Sequence, residues 1–267
     1  MMPFRYSGGS DGSIAINRAS VKVSVVDSYV YMNNAKTNWF AALDVTDFNM
    51  GRGYVKGFDR YISDEMRQFF QNPPGQDHYE FLGYIATHVA DAIIVDIGSH
   101  QGTSAVALSV NPKNIVYSFD VENRRTNPEV PFNVQFVVLD LLPMQGEEYD
   151  TDPKLIQYWE LLEKASVVCI DVNPHDGIKE PQFMQLLKDC GFKGVSIWDD
   201  IRLNDPMKAF WNGIDLPKAD FTGWGHWSGT GIVYHATDYC TSTEPVWNPV
   251  QARGETKQAL YKRSGSL

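Results

Sequence analysis

The sequence predicts an α/β fold: a mostly parallel sheet with helices on both faces, behind an N-terminal extension. Two observations carry this expectation. Five short β-branched or aromatic runs, at 92–98, 114–120, 134–140, 166–171 and 194–200, each end on an acidic residue or glycine, as buried strands bounded by turns do. Between several of them the apolar residues recur at intervals of three and four, and alternating strands and amphipathic helices fold as parallel strands covered by helices. At 267 residues and 43% hydrophobic content the chain can fill a sizeable core, and no long polar tract occurs outside its ends, so the bulk of it is not disordered.

In chain order, residues 1–20 are rich in Gly and Ser and read as a flexible lead-in. VKVSVVDSYVYM (21–32) alternates and predicts a strand or two before the irregular stretch 33–57. DRYISDEMRQFFQN and DHYEFLGYIATHV have helical spacing and are separated by Pro73, Pro74 and Gly75. Asp152 and Pro153 supply an N-cap and a first-turn proline, after which Leu155, Ile156, Trp159 and Leu162 share one helical face. Phe183, Leu186, Leu187 and Cys190 form another such stripe before Gly191, and Asp205-Pro206 opens a third helix with Met207, Phe210, Trp211 and Ile214. The expected domain boundaries are an extension at 1–60, the α/β domain at 61–240 and a tail at 241–267.

Composition excludes several partners. The formal charge of -10 opposes attraction to nucleic acid. No apolar run approaches the ~20 residues that span a bilayer, so no membrane insertion is expected. Cys169, Cys190 and Cys240 are odd in number and lack CxxC spacing, which indicates neither a disulfide framework nor a thiolate zinc site. The chain therefore reads as reduced and cytoplasmic. Whether it belongs to a larger multidomain parent or forms a homo-oligomer is open at this level.

In an open α/β sheet, ligands bind beyond the carboxyl ends of the strands. The first strand runs into Asp96-Ile97-Gly98-Ser99-His100-Gln101-Gly102-Thr103-Ser104, where two glycines permit a tight turn and close backbone approach ahead of a helix N-terminus. The spacing is not the GxGxxG of a dinucleotide fingerprint. Asp120 ends the second strand, where a carboxylate can accept both hydroxyls of a ribose, and Asp140 ends the third, toward an adenine amino group. Acidic residues on three successive strands point to a nucleoside ligand. Asp171 after the fourth strand and Asp199-Asp200 after the fifth bring three more carboxylates together. Such a group repels itself unless a cation holds it, and oxygen ligation suits Mg²⁺, Mn²⁺ or Ca²⁺ rather than zinc.

DIGSHQGTSAVALS resembles motif I of class I S-adenosylmethionine-dependent methyltransferases, and DHYEFLGYIA resembles the helix that one branch carries upstream of it. IDVNPHDG (170–177), WDDIRLNDPMKAFW (198–211) and GHWSGTG (225–231) are similar to methyltransferase-like proteins found near glycan-building enzymes in bacteria and large DNA viruses. The resemblance runs from about Asp77 to about His235. It implies a Rossmann-like methyltransferase sheet, S-adenosylmethionine bound by Asp96, Gly98, Ser99, Gly102, Ser104, Asp120 and Asp140, and a divalent cation, Mg or Mn, on Asp171, Asp199 and Asp200. It further implies O-methylation of a sugar or glycan acceptor, in a host cytoplasm if the source is viral. His175 matches the general base of the sugar-acting branch, though four residues beyond Asp171 where the usual spacing is three; His226 is the competing candidate, and Asp171 belongs to the catalytic set as well as to the metal. Trp198, Trp224 and Trp227 are expected beside a sugar. The alternatives are a catechol-type or other small-molecule O-methyltransferase, or a glycan-binding module that keeps the fold without turnover.

Overall fold

A computed structural model describes residues 53–142, 153–222 and 227–236. The strands expected at 21–32, together with Asp152, Trp224, His226 and Cys240, lie outside these described residues. A 3-10 turn at Asp59–Tyr61 leads into α1 (Asp64–Gln71) and α2 (Gly75–Thr87). There follow β1 (Ile93–Ile97), α3 (Thr103–Leu108), β2 (Ile115–Asp120), β3 (Val134–Val138), α4 (Pro153–Lys164), β4 (Val167–Ile170), α5 (Lys179–Asp189), β5 (Val195–Asp199), α6 (Asp205–Gly213), β6 (Lys218–Asp220) and β7 (Thr230–Tyr234). The seven strands form one sheet in the order β3-β2-β1-β4-β5-β7-β6. The first five are parallel to one another, whereas β7 runs antiparallel to both β5 and β6.

The strand order reverses between β1 and β4, which opens the crevice where an open α/β sheet binds its ligand. Period-2 alternation distributes the sheet's side chains between two cores. Ile94, Cys169, Val195 and Ile197 pack under α2 and α3 with Phe81, Leu82, Ile85 and Leu108. Val95, Ile97, Val168, Ile170 and Trp198 face the other way, against Leu162, Phe183, Leu186 and Trp211. The helices thus cover both faces, as the apolar stripes predicted.

Local chemistry sets the helix ends. Ser63 accepts the amide of Met66 to cap α1, and Asn204 accepts the amide of Met207 at 2.9 Å to cap α6, with Pro206 in the first turn. The cap of α6 is thus one residue earlier than the Asp205 expected. Tyr54 and Val55, on the extension side of the boundary expected at 61, pack into the domain: Val55 is buried in the first core, and the amide of Tyr54 donates to Glu80 at 2.5 Å. Cys169 and Cys190 are buried free thiols. No helix among the described residues is long and apolar enough to cross a membrane.

Candidate functional site

The loop between β1 and α3 is shaped by two glycines in the left-handed region, Gly98 (φ 91°) and Gly102 (φ 85°). At Gly98 a β-carbon would overlap the carbonyl of Asp171, and at Gly102 one would stand 2.7 Å from the ring of Phe136 on β3. Only glycine allows the loop to lie against both β4 and β3. The amides of Gly98 and Ser99 donate to the carbonyl of Phe119 at 2.9 and 3.1 Å, which ties the loop to the end of β2.

Asp120 ends β2 as expected. Its Oδ2 accepts the amide of His100 at 2.7 Å, and its Oδ1 that of Glu122 at 3.3 Å. Beside it is a hollow of about 200 Å³ lined by Ser99, His100, Asp120, Arg125, Phe136 and Val138 among others. The Arg125 guanidinium lies over the Phe136 ring, 3.9 Å from its centroid. Asp140 is placed differently from the sequence expectation. β3 stops at Val138, the Asp140 carboxylate accepts the amide of Leu142 at 3.1 Å, and the residue is exposed and not part of the lining of this hollow.

Asp96, on β1 just before Gly98, is fully buried. Its Oδ2 accepts the hydroxyl of Ser118 at 2.7 Å, and the Ser104 hydroxyl stands close to the same carboxylate. Burial pushes its carboxyl up to about 6 despite the steadying Ser118 and Ser104 hydroxyls.

Asp171, His175 and Asp200 form a second group, each offering one donor atom, all within 4.8 Å of one another. His175 Nε2 is 3.6 Å from Asp171 Oδ1 and 3.4 Å from Asp200 Oδ2. The side-chain amide of Asn204, the cap of α6, donates through Nδ2 to the His175 carbonyl at 2.8 Å and so fixes the loop after β4 against the loop after β5.

Asp199, expected as the third carboxylate of this group, sits elsewhere. It is buried, with Oδ1 3.6 Å from Nδ1 of His78 on α2, and the same His78 nitrogen lies 3.3 Å from the Thr230 hydroxyl. Strand alternation is the reason. Asp199 shares the face of Val195 and Ile197, under α2, while Asp200 follows with a left-handed φ of 57° and turns away. Arg202 pairs with Asp220 instead of with either aspartate. α2 also supplies Tyr79, whose phenol is pushed up by burial and by Asp171, Asp199 and Asp96 around it.

Of the three tryptophans expected beside a sugar, Trp198 and Trp227 are among the described residues. Trp198 is fully buried, with its Nε1 donating to Ser196 at 2.7 Å, so it belongs to the core and cannot stack on a ligand. Trp227 is 66% exposed beside the loop after β5, since the amide of Arg202 donates to the neighbouring Ser228 carbonyl at 2.7 Å. His235 is a structural histidine: its Nε2 is 2.8 Å from the Ser196 hydroxyl, and burial pushes it down to about 4.

No family model and no curated relative matches the chain. Solved structures do resemble it. A putative caffeoyl-CoA O-methyltransferase from Staphylococcus aureus is 10% identical, with a TM-score of 0.43 over 58% of this chain and 83% of that one. The O-methyltransferase TomG from Streptomyces achromogenes, solved with SAM, is 16% identical, with a TM-score of 0.42 over 74% and 94% of the two chains. The SAH-bound Podospora anserina methyltransferase PaMTH1 is 14% identical, with a TM-score of 0.42 over 65% and 88%. The seven-stranded mixed sheet, with its reversal between β1 and β4 and its antiparallel β7, is a Rossmann-like open α/β fold.

Proposed function

We propose that this protein is an S-adenosylmethionine-dependent, divalent-metal-assisted O-methyltransferase acting on a sugar hydroxyl, a deoxyhexose such as rhamnose in a glycan. One juxtaposition carries the reading: across Gly98, whose α-carbon lies under the Asp171 carbonyl, a nucleoside-sized hollow adjoins a group of cation-ligating side chains. The residues present fit the methyl donor. Gly98 and Gly102 let the loop close against β4 and β3, and the Asp120 carboxylate lines the hollow so formed. They also fit a dication, with donor atoms within 4.8 Å of one another.

The bound donor supplies a methyl group already activated on a sulfonium. A bound dication lowers the pKa of an aliphatic hydroxyl, which is otherwise too weak an acid for a histidine to deprotonate. The chain's own task is alignment, since an in-line approach of oxygen to methyl accounts for much of such a barrier. Asp120 and the glycine loop hold the donor end, and Asp171 and Asp200 hold the acceptor end. The exposed indole of Trp227 supports the choice of a sugar, because a flat aromatic face suits the apolar face of a deoxyhexose. A base must take up the hydroxyl proton, and the sequence nominates His175 and His226 for it.

Incubation with labelled S-adenosylmethionine and a panel of deoxysugar glycosides, with and without a chelator, tests the reading. Label is expected in a glycoside only when the metal is present. Transfer undiminished by exhaustive chelation removes the metal, and transfer to phenols alone replaces the sugar.

A further inference from the structure

We propose that Gln101 is a positioning residue of the hollow beside Asp120: its side-chain amide clasps the loop after β2 (121–133) to α1, and so holds the wall that carries Arg125 in place for a ligand. The inference rests on the proposed function only in taking S-adenosylmethionine as that ligand. Gln101 belongs to the loop between β1 and α3, yet it does not line the hollow. It acts through the residues that do.

Gln101 is buried, and the two ends of its amide meet groups of opposite demand. Its Oε1 accepts both the backbone amide and the hydroxyl of Thr126, each at 3.2 Å, and its Nε2 donates to Glu65 Oε2 on α1 at 3.3 Å. A backbone amide can only donate and a carboxylate can only accept, so the group between them must do both. A carboxamide meets that demand; a carboxylate offers no donor, and an ammonium or guanidinium no acceptor. Asn127 adds a second tie, since its Nδ2 donates to the carbonyls of Arg60 at 2.8 Å and Ile62 at 3.1 Å. This side of the clasp is firmly anchored, because Ile62 just before α1 and Phe70 within it are buried in the first core.

Both partners of the clasp adjoin the hollow. Thr126 follows Arg125, whose guanidinium lies on Phe136 and donates to the carbonyl of Asn127 at 2.9 Å. Gln101 stands between His100, whose amide holds Asp120, and Gly102, which packs on Phe136. The chain between β2 and β3 contains no helix or strand, so these side-chain hydrogen bonds, together with Val130 packed on the first core, set its place. Without Gln101 the loop keeps the Asn127 tie but loses the one that joins it to the glycine loop. A wall ordered in advance leaves less to be ordered on binding, and this is how a residue outside the hollow sets affinity.

Titration calorimetry of the full chain with S-adenosylhomocysteine, alongside hydrogen exchange of the Thr126 amide in the ligand-free protein, provides the test. Gln101→Ala should weaken S-adenosylhomocysteine by about 10- to 100-fold and speed Thr126 exchange by about tenfold or more, while the ligand-free melting temperature falls by no more than about 4 °C. Gln101→Glu should weaken binding likewise, because it sets a second carboxylate against Glu65. Adding Glu65→Gln to that variant turns the contact round, so that position 65 donates and position 101 accepts, and should restore affinity to within about threefold of wild type. Unchanged affinity in Gln101→Ala, however far its melting temperature falls, assigns the residue to the fold alone and overturns the proposal. So does a reciprocal exchange that recovers nothing, or a Thr126 amide that exchanges no faster without Gln101. Wild type that binds no S-adenosylhomocysteine overturns the proposed function and the donor role of Gln101 with it, and Thr126 exchange still shows whether the clasp exists.

Discussion

Gly98 packs so closely on the carbonyl of Asp171 that a β-carbon there would overlap it, so the loop beside the Asp120 hollow and the loop that carries Asp171 and His175 share one contact. Neither can shift without the other. Gly98→Ala places a methyl on that carbonyl at a φ of 91°, and strain of this kind costs on the order of 1–3 kcal/mol before any clash is counted. Donor binding and Mn²⁺ binding are both expected to weaken, with a lowered melting temperature. Calorimetry showing one affinity intact would uncouple the two loops.

Asp120 holds the other side of the hollow and accepts the amides of His100 and Glu122 before any ligand arrives. Charge-assisted hydrogen bonds to a carboxylate contribute about 1.5–3 kcal/mol, so Asp120→Ala should weaken S-adenosylmethionine by about 10- to 150-fold. Part of that loss reflects loop order, and Asp120→Asn should recover some of it. Unchanged affinity in the alanine variant, measured by titration calorimetry, removes Asp120 from the donor site.

Much of this arrangement is legible in the sequence. The five parallel strands are short β-branched runs with clear ends, and Gly98, Gly102, Asp120, Asp171 and Asp200 stand at the rim because strand ends do. β6 and β7 are not legible in the same way: β6 has three residues, and β7 follows a glycine-rich stretch and pairs against β5 in a direction that no local signal encodes. The separate fate of Asp199 was within reach, since adjacent residues at a strand end point to opposite faces. So was the burial of His78, which shares the helical stripe of Phe81, Leu82 and Ile85 and there needs a polar partner. Asp140 differs because β3 ends two residues earlier than its apolar run suggests.

Asp96 gives a prediction on stability. Its carboxyl is raised from 3.8 to about 6 in the fold, so the folded state holds a proton that the unfolded chain releases. Its contribution is favourable below pH 3.8 and is lost as pH rises through 6. The shift corresponds to about 3 kcal/mol against the donor-free protein above that pH. Asp96→Asn should therefore stabilise donor-free protein at pH 7.5, with the gain shrinking as pH falls toward 4, while donor affinity drops. Denaturant melts across this range check the sign; a destabilised variant at pH 7.5 would show that the charge is compensated in the fold.

Acceptor choice gives the last prediction: a vicinal diol, as at the terminus of a deoxyhexose glycan, is the preferred substrate. A cation held by Asp171 and Asp200 would keep further coordination positions for acceptor oxygens. Two hydroxyls on neighbouring carbons can reach two such positions together, which orients the acceptor as well as binding it. An acceptor with a single hydroxyl has one attachment and can rotate about it. The Trp227 indole is exposed and free to meet the apolar face of a sugar, and the net charge of -10 disfavours a strongly anionic glycan. Removal of the hydroxyl next to the methylated one should raise KM and lower kcat together, because both attachment and alignment are lost. The measurement is turnover on a rhamnoside with a free diol against its monodeoxy counterpart. Equal kcat/KM for the two shows that the diol is not what the site reads, and shifts the acceptor toward a phenol, which needs less acidification.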